Sequence, residues 1–514
     1  MGLRHGLMLS LGVGIVTTPL LAQTPLGTAA PPPASTLAEA RKAQAARAQQ
    51  TANKPRMVIT TPPTPLGGST VPRTLADALA ATYSTQPALL AARARLRATD
   101  ENVPQALAGW RPTVILQGTA GGGNGTSRGY STSIGNVLVG NNSRPIATVQ
   151  ATLTQNLYTG GRVQANVNRS KNQVMAERAN LMQQEQTSFL NTVNAYLGVI
   201  QAAQILALNI NNEQVLAKQL QATNDRFRVG EITRTDVAQA EAALAGATAQ
   251  RETAAGNLQT ARGSFQQVVG FLPPEDLIEP QPLSVPVRSE AEAKAMAFAN
   301  NPAVILSAFN NAAAQDAVDI AAAALLPQVS LQGQTFQQNN VSSPRTQGVG
   351  YQVVAQVSVP VYQGGSEYAA VRQARQNQQQ TQQLVDDARR TAVQSAVQSW
   401  QTLSAARAAA DSTRAQIRAN EIALEGVQRE AIVGSRTTLD VLNAQQTLLN
   451  SRTSLVQNLT QLVTASYQVA AAVGRLSARD LHLAVPLYDA TAYYQAVKDR
   501  WVGLGDYATE QPGR

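Results

Sequence analysis

The 514-residue chain contains no cysteine and only two histidines. Without cysteine it cannot form a disulfide, a thiolate metal site or a cysteine nucleophile, and it lacks the residue to which a lipoprotein anchor is attached. The histidines are His5, near the N-terminus, and His482, in a connecting segment, so a histidine metal site or catalytic triad is not expected. The glycines of 121–125 precede no predicted helix, which argues against a phosphate-binding loop. We therefore expect neither an enzyme nor a bound cofactor or metal.

Long apolar runs are also absent beyond the N-terminal region. No later segment approaches ~20 uninterrupted apolar residues, so an ordinary transmembrane helix is not expected. At the start of the chain, Arg4 precedes an apolar stretch that ends at Ala22. This pattern predicts a signal peptide over 1–22. The alternative is a transmembrane anchor, which the short length of the run and Pro19 disfavour.

Negative charge is scarce in the first part of the chain. The net charge is +9, and residues 1–73 hold seven Lys or Arg but one Asp or Glu, so the remaining chain is close to neutral. The segment 23–72 is rich in Ala, Pro, Thr and Gln, which predicts a disordered leader. Its basic residues are interpreted as a solvated tail, and a nucleic-acid partner is not expected.

An internal repeat is the main positive feature of the sequence. Residues 158–161 (Tyr-Thr-Gly-Gly) return 204 positions later as 362–365 (Tyr-Gln-Gly-Gly). Other pairs keep the same offset: Val229 and Val433, Gly230 and Gly434, Thr233 and Thr437, Asp236 and Asp440, and Gly270 and Gly474. We predict two copies of one structural unit, over 73–286 and 287–487, followed by a C-terminal tail over 488–514.

Each copy contains a long stretch that is typical of a helix. Arg162 to Arg228 and Ser366 to Ile432 are both 67 residues long and contain no proline. At 1.5 Å per residue each helix would be ~100 Å long. Shorter helices are predicted over 73–109, broken by Pro104, and over 234–269. Stacked end to end, these two would span about the length of the long one, which predicts an antiparallel helical rod.

Each copy also contains a predicted pair of strands. Predicted loops over 121–142 and 337–348 separate the two strands of each pair. The returning strands alternate with period two, which suits either a soluble sandwich or a membrane barrel. Their apolar positions are Ala147, Val149, Ala151, Leu153 and Leu157 in the first copy, and Tyr351, Val353, Ala355, Val357, Val359 and Val361 in the second.

The order of these elements and motifs resembles the TolC family of outer-membrane channels of Gram-negative bacteria. The resemblance covers about residues 73 to 487 and rests on the repeated Tyr-x-Gly-Gly, on the repeated Val-Gly-x-x-Thr, and on Thr-Thr-Leu-Asp-Val-Leu-Asn-Ala at 437–444. It implies an α+β membrane protein. Four strands from each of three chains would form a homotrimeric 12-stranded β-barrel, which a long α-helical tunnel would continue through the periplasm. The tail, 488–514, would then be periplasmic.

The resemblance also implies roles for the two turns that end the long helices. Asp440 matches a pore-lining aspartate ring, and Arg436 matches an arginine that holds the entrance shut by bonding Thr235 and Asp236 of a neighbouring turn. The first copy has Ile232 where the second has Arg436. The resemblance also places Asn443 in the gate, where the best-known member of the family has a second aspartate ring. The residues implied in docking an adaptor are Val229, Gly230, Thr233, Val433, Gly434 and Thr437.

Simpler roles remain open for the same residues. Gly230 and Gly434 could end the long helices as C-cap glycines. Thr233 with Asp236, and Thr437 with Asp440, fit a capping box in which aspartate replaces glutamate. Ala431 stands where the best-known member of the family has a tyrosine latch, so the latch is expected to be weaker or differently built.

The function that the resemblance implies is an outer-membrane exit duct of a tripartite type I secretion or multidrug efflux system. The expected partners are two further copies of the chain, a periplasmic adaptor of the membrane-fusion type, an inner-membrane ABC or RND pump, and outer-membrane lipid. One alternative is a metal or drug resistance factor that serves one pump. An alternative of another class is a periplasmic coiled-coil scaffold without a pore, which would not need alternating strands.

Overall fold

The computed structural model describes residues 72–285, 287–341 and 345–505. The predicted signal peptide and all but the last residue of the predicted leader lie outside the described residues. The described elements are helices and one antiparallel sheet, and they follow the chain in the same order twice.

The first helical stretch is divided more often than the sequence predicted. It forms α1 (Leu75–Thr85), α2 (Pro87–Asp100), α3 (Asn102–Leu107) and a 3-10 turn (Ala108–Trp110). The first break lies at Gln86, which has extended backbone angles because the following proline excludes the helical conformation. The second break comes before Pro104, which lies inside α3. The prediction of a break at Pro104 was therefore wrong by a few residues, because a proline disturbs the carbonyl four positions before it.

The second copy has a similar opening. Helices α6 (Glu290–Asn300) and α7 (Pro302–Ala323) are separated by Asn301, which is also extended and also precedes a proline. The Asn301 side chain accepts a hydrogen bond from the backbone of Ala303 and donates one to the carbonyl of Ala472. This break therefore ties the start of α7 to the C-terminal end of α9 (Thr438–Ala472).

The sheet contains β1 (Thr113–Ser131), β2 (Asn136–Tyr158), β3 (Gln328–Asn339) and β4 (Gln347–Ser358), in the order β1-β2-β3-β4. All neighbours are antiparallel. The prediction of a loop over 121–142 was wrong. Most of this segment continues the first hairpin, in which Ser131 pairs with Asn136. Its glycines and asparagines have low strand propensity, but the ladder of backbone hydrogen bonds does not depend on side chains. The second loop is shorter than predicted.

One face of the sheet carries exposed apolar side chains. Val114 and Leu116 of β1 and Val353 of β4 are 72%, 73% and 69% exposed. Burying each such side chain is worth about 1.5–3 kcal/mol. β1 and β4 are also edge strands with one neighbour each within the chain. A sheet with an unburied apolar face and two open edges needs further partners.

The long helices have the bounds that the sequence predicted. Helix α4 is Arg162–Arg228 and α8 is Ser366–Ile432, each of 67 residues. Helix α4 packs against α2 and α3 near its start and against α5 (Arg234–Val269) further along. Helix α8 packs against α6, α7 and α9 (Thr438–Ala472). The predicted rod, with two shorter helices beside each long one, is therefore present in both copies.

The main core lies where α1, α4, α5 and α9 meet. Phe189, Tyr196 and Phe265 are fully buried there, with Leu79 and Leu476. The Tyr196 hydroxyl is 2.7 Å from the carbonyl oxygens of Arg73 and Ile278, so it joins two connecting segments to the middle of α4. By length and composition alone, α4 also contains an 18-residue window that could cross a membrane. Because the helix contributes Phe189, Val193 and Tyr196 to this core, we assign it to the helical rod.

Candidate functional site

Two turns at the ends of the long helices, with the helix starts that follow them, hold the residues that the sequence predicted for the gate and for adaptor docking. Each turn begins with a Schellman motif, in which two backbone N–H groups bond carbonyls of the last helical turn. Glu231 bonds Arg226 at 3.0 Å in the first copy, and Ser435 bonds Glu430 at 3.0 Å in the second. Gly230 and Gly434 have φ values of +82° and +81°, a conformation that only glycine adopts without strain. The predicted helix-ending role of both glycines is confirmed.

The next helix in each copy begins with a capping box. Asp236 accepts a hydrogen bond from the Thr233 backbone at 3.0 Å, and its own N–H donates to the Thr233 hydroxyl. Thr437 and Asp440 repeat this arrangement, with the first bond again at 3.0 Å. The capping interpretation is therefore confirmed for both pairs. It occupies one carboxylate oxygen of each aspartate.

The electrostatics of the second turn centre on Asp440. The backbone N–H and the side-chain hydroxyl of Thr437 both donate hydrogen bonds to this carboxylate. Arg436 adds a positive charge nearby. Together they hold the pKa of Asp440 below its ordinary value. Asp440 is therefore ionised at neutral pH and can present negative charge at the end of α9.

Arg436 forms an ion pair that the sequence analysis missed. Its Nε lies 2.8 Å from Glu430 Oε2, and this hydrogen bond is the main reason that the pKa of Arg436 is raised. Within the chain Arg436 therefore bonds Glu430. Its contacts with Thr235 and Asp236 of a neighbouring turn stay a prediction. The two charges are six positions apart and meet only because the chain reverses between them. The sequence did contain a signal for this ion pair, namely opposite charges on the two sides of Val433-Gly434.

The first turn has a matching ion pair of opposite polarity. Arg226 Nε lies 3.0 Å from Glu231 Oε2, with the cation on the helix and the anion on the turn. In the second copy the anion, Glu430, is on the helix and the cation, Arg436, is on the turn. We call these two interactions the turn ion pairs. In each copy one ion pair thus links the end of the long helix to the turn that follows it, and the charges are reversed between the copies.

The remaining predicted residues lie on the surface of the same turns. Thr235 is exposed on the first turn of α5, and Asn443 is exposed on the second turn of α9. Val229 and Val433 are 72% and 78% exposed and Ile432 is 79% exposed, so both turns present apolar side chains. Among the described residues, no group of acidic or histidine side chains could hold a metal ion.

These parts define a class of protein. A sheet with open edges and an exposed apolar face, joined to long paired helices, is one subunit of a channel in which a membrane barrel continues as a helical tunnel. The family model described as "Outer membrane efflux protein" matches residues 79–270 and 295–475. The chain belongs to this family, which includes the TolC proteins.

Individual relatives agree with this assignment. The chain is 36% identical over 443 residues to the outer membrane efflux protein BepC of Brucella suis, covering 85% of this chain and 93% of BepC. It is 26% identical over 318 residues to the outer membrane protein TolC of Escherichia coli, covering 58% of this chain and 63% of TolC. The structure of VceC from Vibrio cholerae matches with a TM-score of 0.67 and 19% identity, over 78% of this chain and 96% of VceC.

The comparisons confirm the predicted fold class and location. The chain has the fold of the outer membrane efflux channels, with its strands in the outer membrane and its helices in the periplasm. Members of the family are channels rather than enzymes.

Proposed function

We propose that three copies of this chain form a passive exit duct in the outer membrane, opened at its periplasmic end by an adaptor and an inner-membrane pump of the ABC or RND type. The observation that carries the proposal is the four-stranded sheet with two open edges and an exposed apolar face. Pairing β1 of one copy with β4 of the next closes a 12-stranded barrel, which removes all edges and turns the apolar face to lipid.

The helices supply the second part of the duct. Matched 67-residue helices place both turns of every copy at the same distance from the barrel. Three copies would therefore bring six turns together at the periplasmic end. Such an entrance supports a duct better than a coiled-coil scaffold, which has no use for the sheet.

We infer that the turns form the gate. Arg436, Asp440 and Asn443 of the second turn would face the lumen, and Thr235 and Asp236 of a neighbouring first turn would be the closing partners of Arg436. The second oxygen of the Asp440 carboxylate remains available for a ring of three aspartates, because the capping bonds described above use only one oxygen.

Arg436 would then have two alternative partners. It bonds Glu430 of its own turn in the structure, and it would bond Asp236 of a neighbouring turn when the entrance is closed. Exchange between these partners would open and close the duct without unfolding either turn.

We also infer that the outer surface of the turns docks the periplasmic adaptor. Exposed apolar side chains beside rigid, capped helix ends make a surface that a helical partner can cover. The residues of this surface are Val229, Gly230, Thr233, Val433, Gly434 and Thr437.

Single-channel conductance in planar bilayers tests the gate. Replacing Arg436 and Asp440 by alanine should raise the conductance and abolish block by trivalent cations. Arg226→Ala is the matched control, because it breaks the turn ion pair of the first copy and leaves the proposed gate intact. Unchanged conductance and unchanged block in the double variant would contradict the gate.

Proteins, drugs and metals are the candidate cargoes of this duct. Relatives include the alkaline protease secretion protein AprF of Pseudomonas aeruginosa, 26% identical over 324 residues, as well as the efflux protein BepC. Comparing protein secretion with drug and metal sensitivity in a deletion strain separates a secretion duct from a resistance factor. Fractionation separates both from a scaffold, because a duct is recovered from the outer membrane as a trimer.

A further inference from the structure

The tail of the chain follows a defined path along the first helices. The backbone N–H of Tyr488 donates to the Tyr83 hydroxyl at 2.9 Å, and the Tyr493 hydroxyl donates to Glu101 at 2.8 Å. Further along, the Arg111 guanidinium donates to a backbone carbonyl of the tail, that of residue 500. Both segments advance in the same direction, so the tail runs from the central core to the start of β1.

The end of this path is the base of the sheet. The Arg111 guanidinium lies over the Trp501 ring, 4.8 Å from its centroid, and β1 begins two residues after this arginine. The preceding 3-10 turn is bound to the end of β2, since Gln155 donates to the Trp110 carbonyl at 2.8 Å. Tyr158 is the last residue of β2 and is 47% exposed. Trp501, Trp110 and Tyr158 thus lie at one end of the barrel wall.

Only the last described part of the tail exposes apolar side chains strongly. Val497, at the end of α10 (Ala492–Val497), is 2% exposed. Beyond it, Trp501, Val502 and Leu504 are 67%, 88% and 106% exposed. Leaving such side chains in water forgoes about 1.5–3 kcal/mol each, so a surface that covers them is expected.

We propose that residues 501–504 insert into the periplasmic leaflet of the outer membrane and anchor the channel there. The base of the sheet is the side from which the helices enter the periplasm, so it is level with the lipid headgroups of that leaflet. Tryptophan and tyrosine prefer this depth, and the Arg111 guanidinium beside Trp501 can pair with lipid phosphates.

Tryptophan fluorescence of the full-length protein in phospholipid bilayers tests this anchor. The chain has three tryptophans, so a variant with W110F and W400F leaves Trp501 as the emitter. In bilayers made with phospholipids brominated high on the acyl chain, Trp501 should lose most of its emission, and lipids brominated near the chain end should quench it less. If the double variant does not assemble, the quenching of Trp501 is obtained as the difference in quenched emission between the native protein and W501F.

A matched control uses an equally exposed position far from the barrel. Ile422, on α8 towards the turns, is 72% exposed, and a single tryptophan placed there by I422W in the background lacking the other three should not be quenched by brominated lipid. Quenching of Trp501 by aqueous acrylamide but not by lipid would overturn the anchor. Protection from both quenchers would also overturn it, and would show that a neighbouring copy covers the segment. The result of this quenching experiment does not depend on the proposed gate, because the anchor requires only that the protein lies in the outer membrane.

Discussion

In the proposed gate, Arg436 would exchange between two partners, Glu430 of its own turn and Asp236 of a neighbouring turn. Its bond to Glu430 is an ion pair on the surface, where water weakens the attraction between the charges, so the pair contributes little to stability. A weak bond is suited to exchange, because little free energy is needed to trade it for a bond across the entrance. Sequence comparison located Arg436 as the position where the copies differ. It did not find Glu430, because a partner six residues away is visible only once the turn is folded.

Breaking this pair should favour the closed entrance. In Glu430→Gln the guanidinium loses its charged partner within the turn, so the bond to Asp236 of a neighbouring turn becomes the better alternative. We expect a lower open probability in planar bilayers. Glu231→Gln, which breaks the other turn ion pair, is the control and should leave the open probability unchanged. An equal effect of both variants would show that the ion pairs only stiffen the turns.

The Thr437 hydroxyl should set the pH range of cation block. It is the second of the hydrogen bonds that hold the pKa of Asp440 down. In Thr437→Val one of these bonds is lost, so protonation of Asp440 begins at a higher pH and block by trivalent cations should disappear at a higher pH than in the native channel. Thr233→Val makes the same change at the first turn and should not shift the titration. An identical titration in Thr437→Val would contradict a role for Asp440 in block.

Asp100 should make the stability of the protein depend on pH. This residue is fully buried, neither carboxylate oxygen has a hydrogen-bond partner, and burial raises its pKa to about 7 despite the charge of Arg178. Since the folded pKa exceeds the unfolded one, the carboxyl stabilises the fold at acidic pH and this contribution is lost as pH rises to about 7.

The expected result is that Asp100→Asn gains thermal stability over the native protein as pH rises towards neutrality, with no further gain above that range. Melting of the detergent-solubilised trimer over a pH series measures this difference. Asp499→Asn, at an exposed position of the C-terminal tail, is the control and should melt like the native protein over the same pH series. A constant difference at every pH would indicate that Asp100 is charged throughout.

At the scale of elements, the helices were more predictable than the strands. The bounds of α4 and α8 follow from 67-residue stretches without proline between glycine-containing turns. The first hairpin was under-predicted because residues such as Gly121, Gly122 and Gly123 carry no apolar alternation. Their conformation is imposed by pairing with β2. The path of the tail could not be predicted either, because its contacts, such as Tyr488 with Tyr83, join residues about 400 positions apart.

The Tyr196 hydroxyl should contribute to the stability of the core and to the attachment of two connecting segments. Replacing it by phenylalanine leaves the carbonyls of Arg73 and Ile278 without this partner, and a lost buried hydrogen bond costs about 1–3 kcal/mol. We expect Tyr196→Phe to unfold at lower denaturant concentration and to be cleaved faster by protease near residue 73. Tyr368→Phe, half exposed on α8, is the control and should resemble the native protein. Unchanged proteolysis near residue 73 would contradict this role.

At the scale of the whole molecule, the two faces of the sheet should differ in tolerance to charge. Val353 lies on the apolar face and Gln352 on the opposite face of the same strand. An arginine that faces the middle of the bilayer costs about 2–4 kcal/mol per chain, so Val353→Arg should reduce the amount of trimer recovered from the outer membrane. Gln352→Arg would face the lumen and should assemble normally. Equal recovery of both variants would contradict the barrel.

The equal lengths of α4 and α8 have one more consequence. A helix that fixes a distance also fixes a rotation, since each added residue advances the axis by about 1.5 Å and turns it by about 100°. If Arg436 and Asp440 face the lumen as proposed, one extra residue in the middle of α8 would turn them away from it while moving the turn only slightly. Insertions of about seven or eleven residues restore the orientation. A longer tunnel would therefore keep the orientation of both turns only if about whole numbers of helical turns were added to α4 and α8 together.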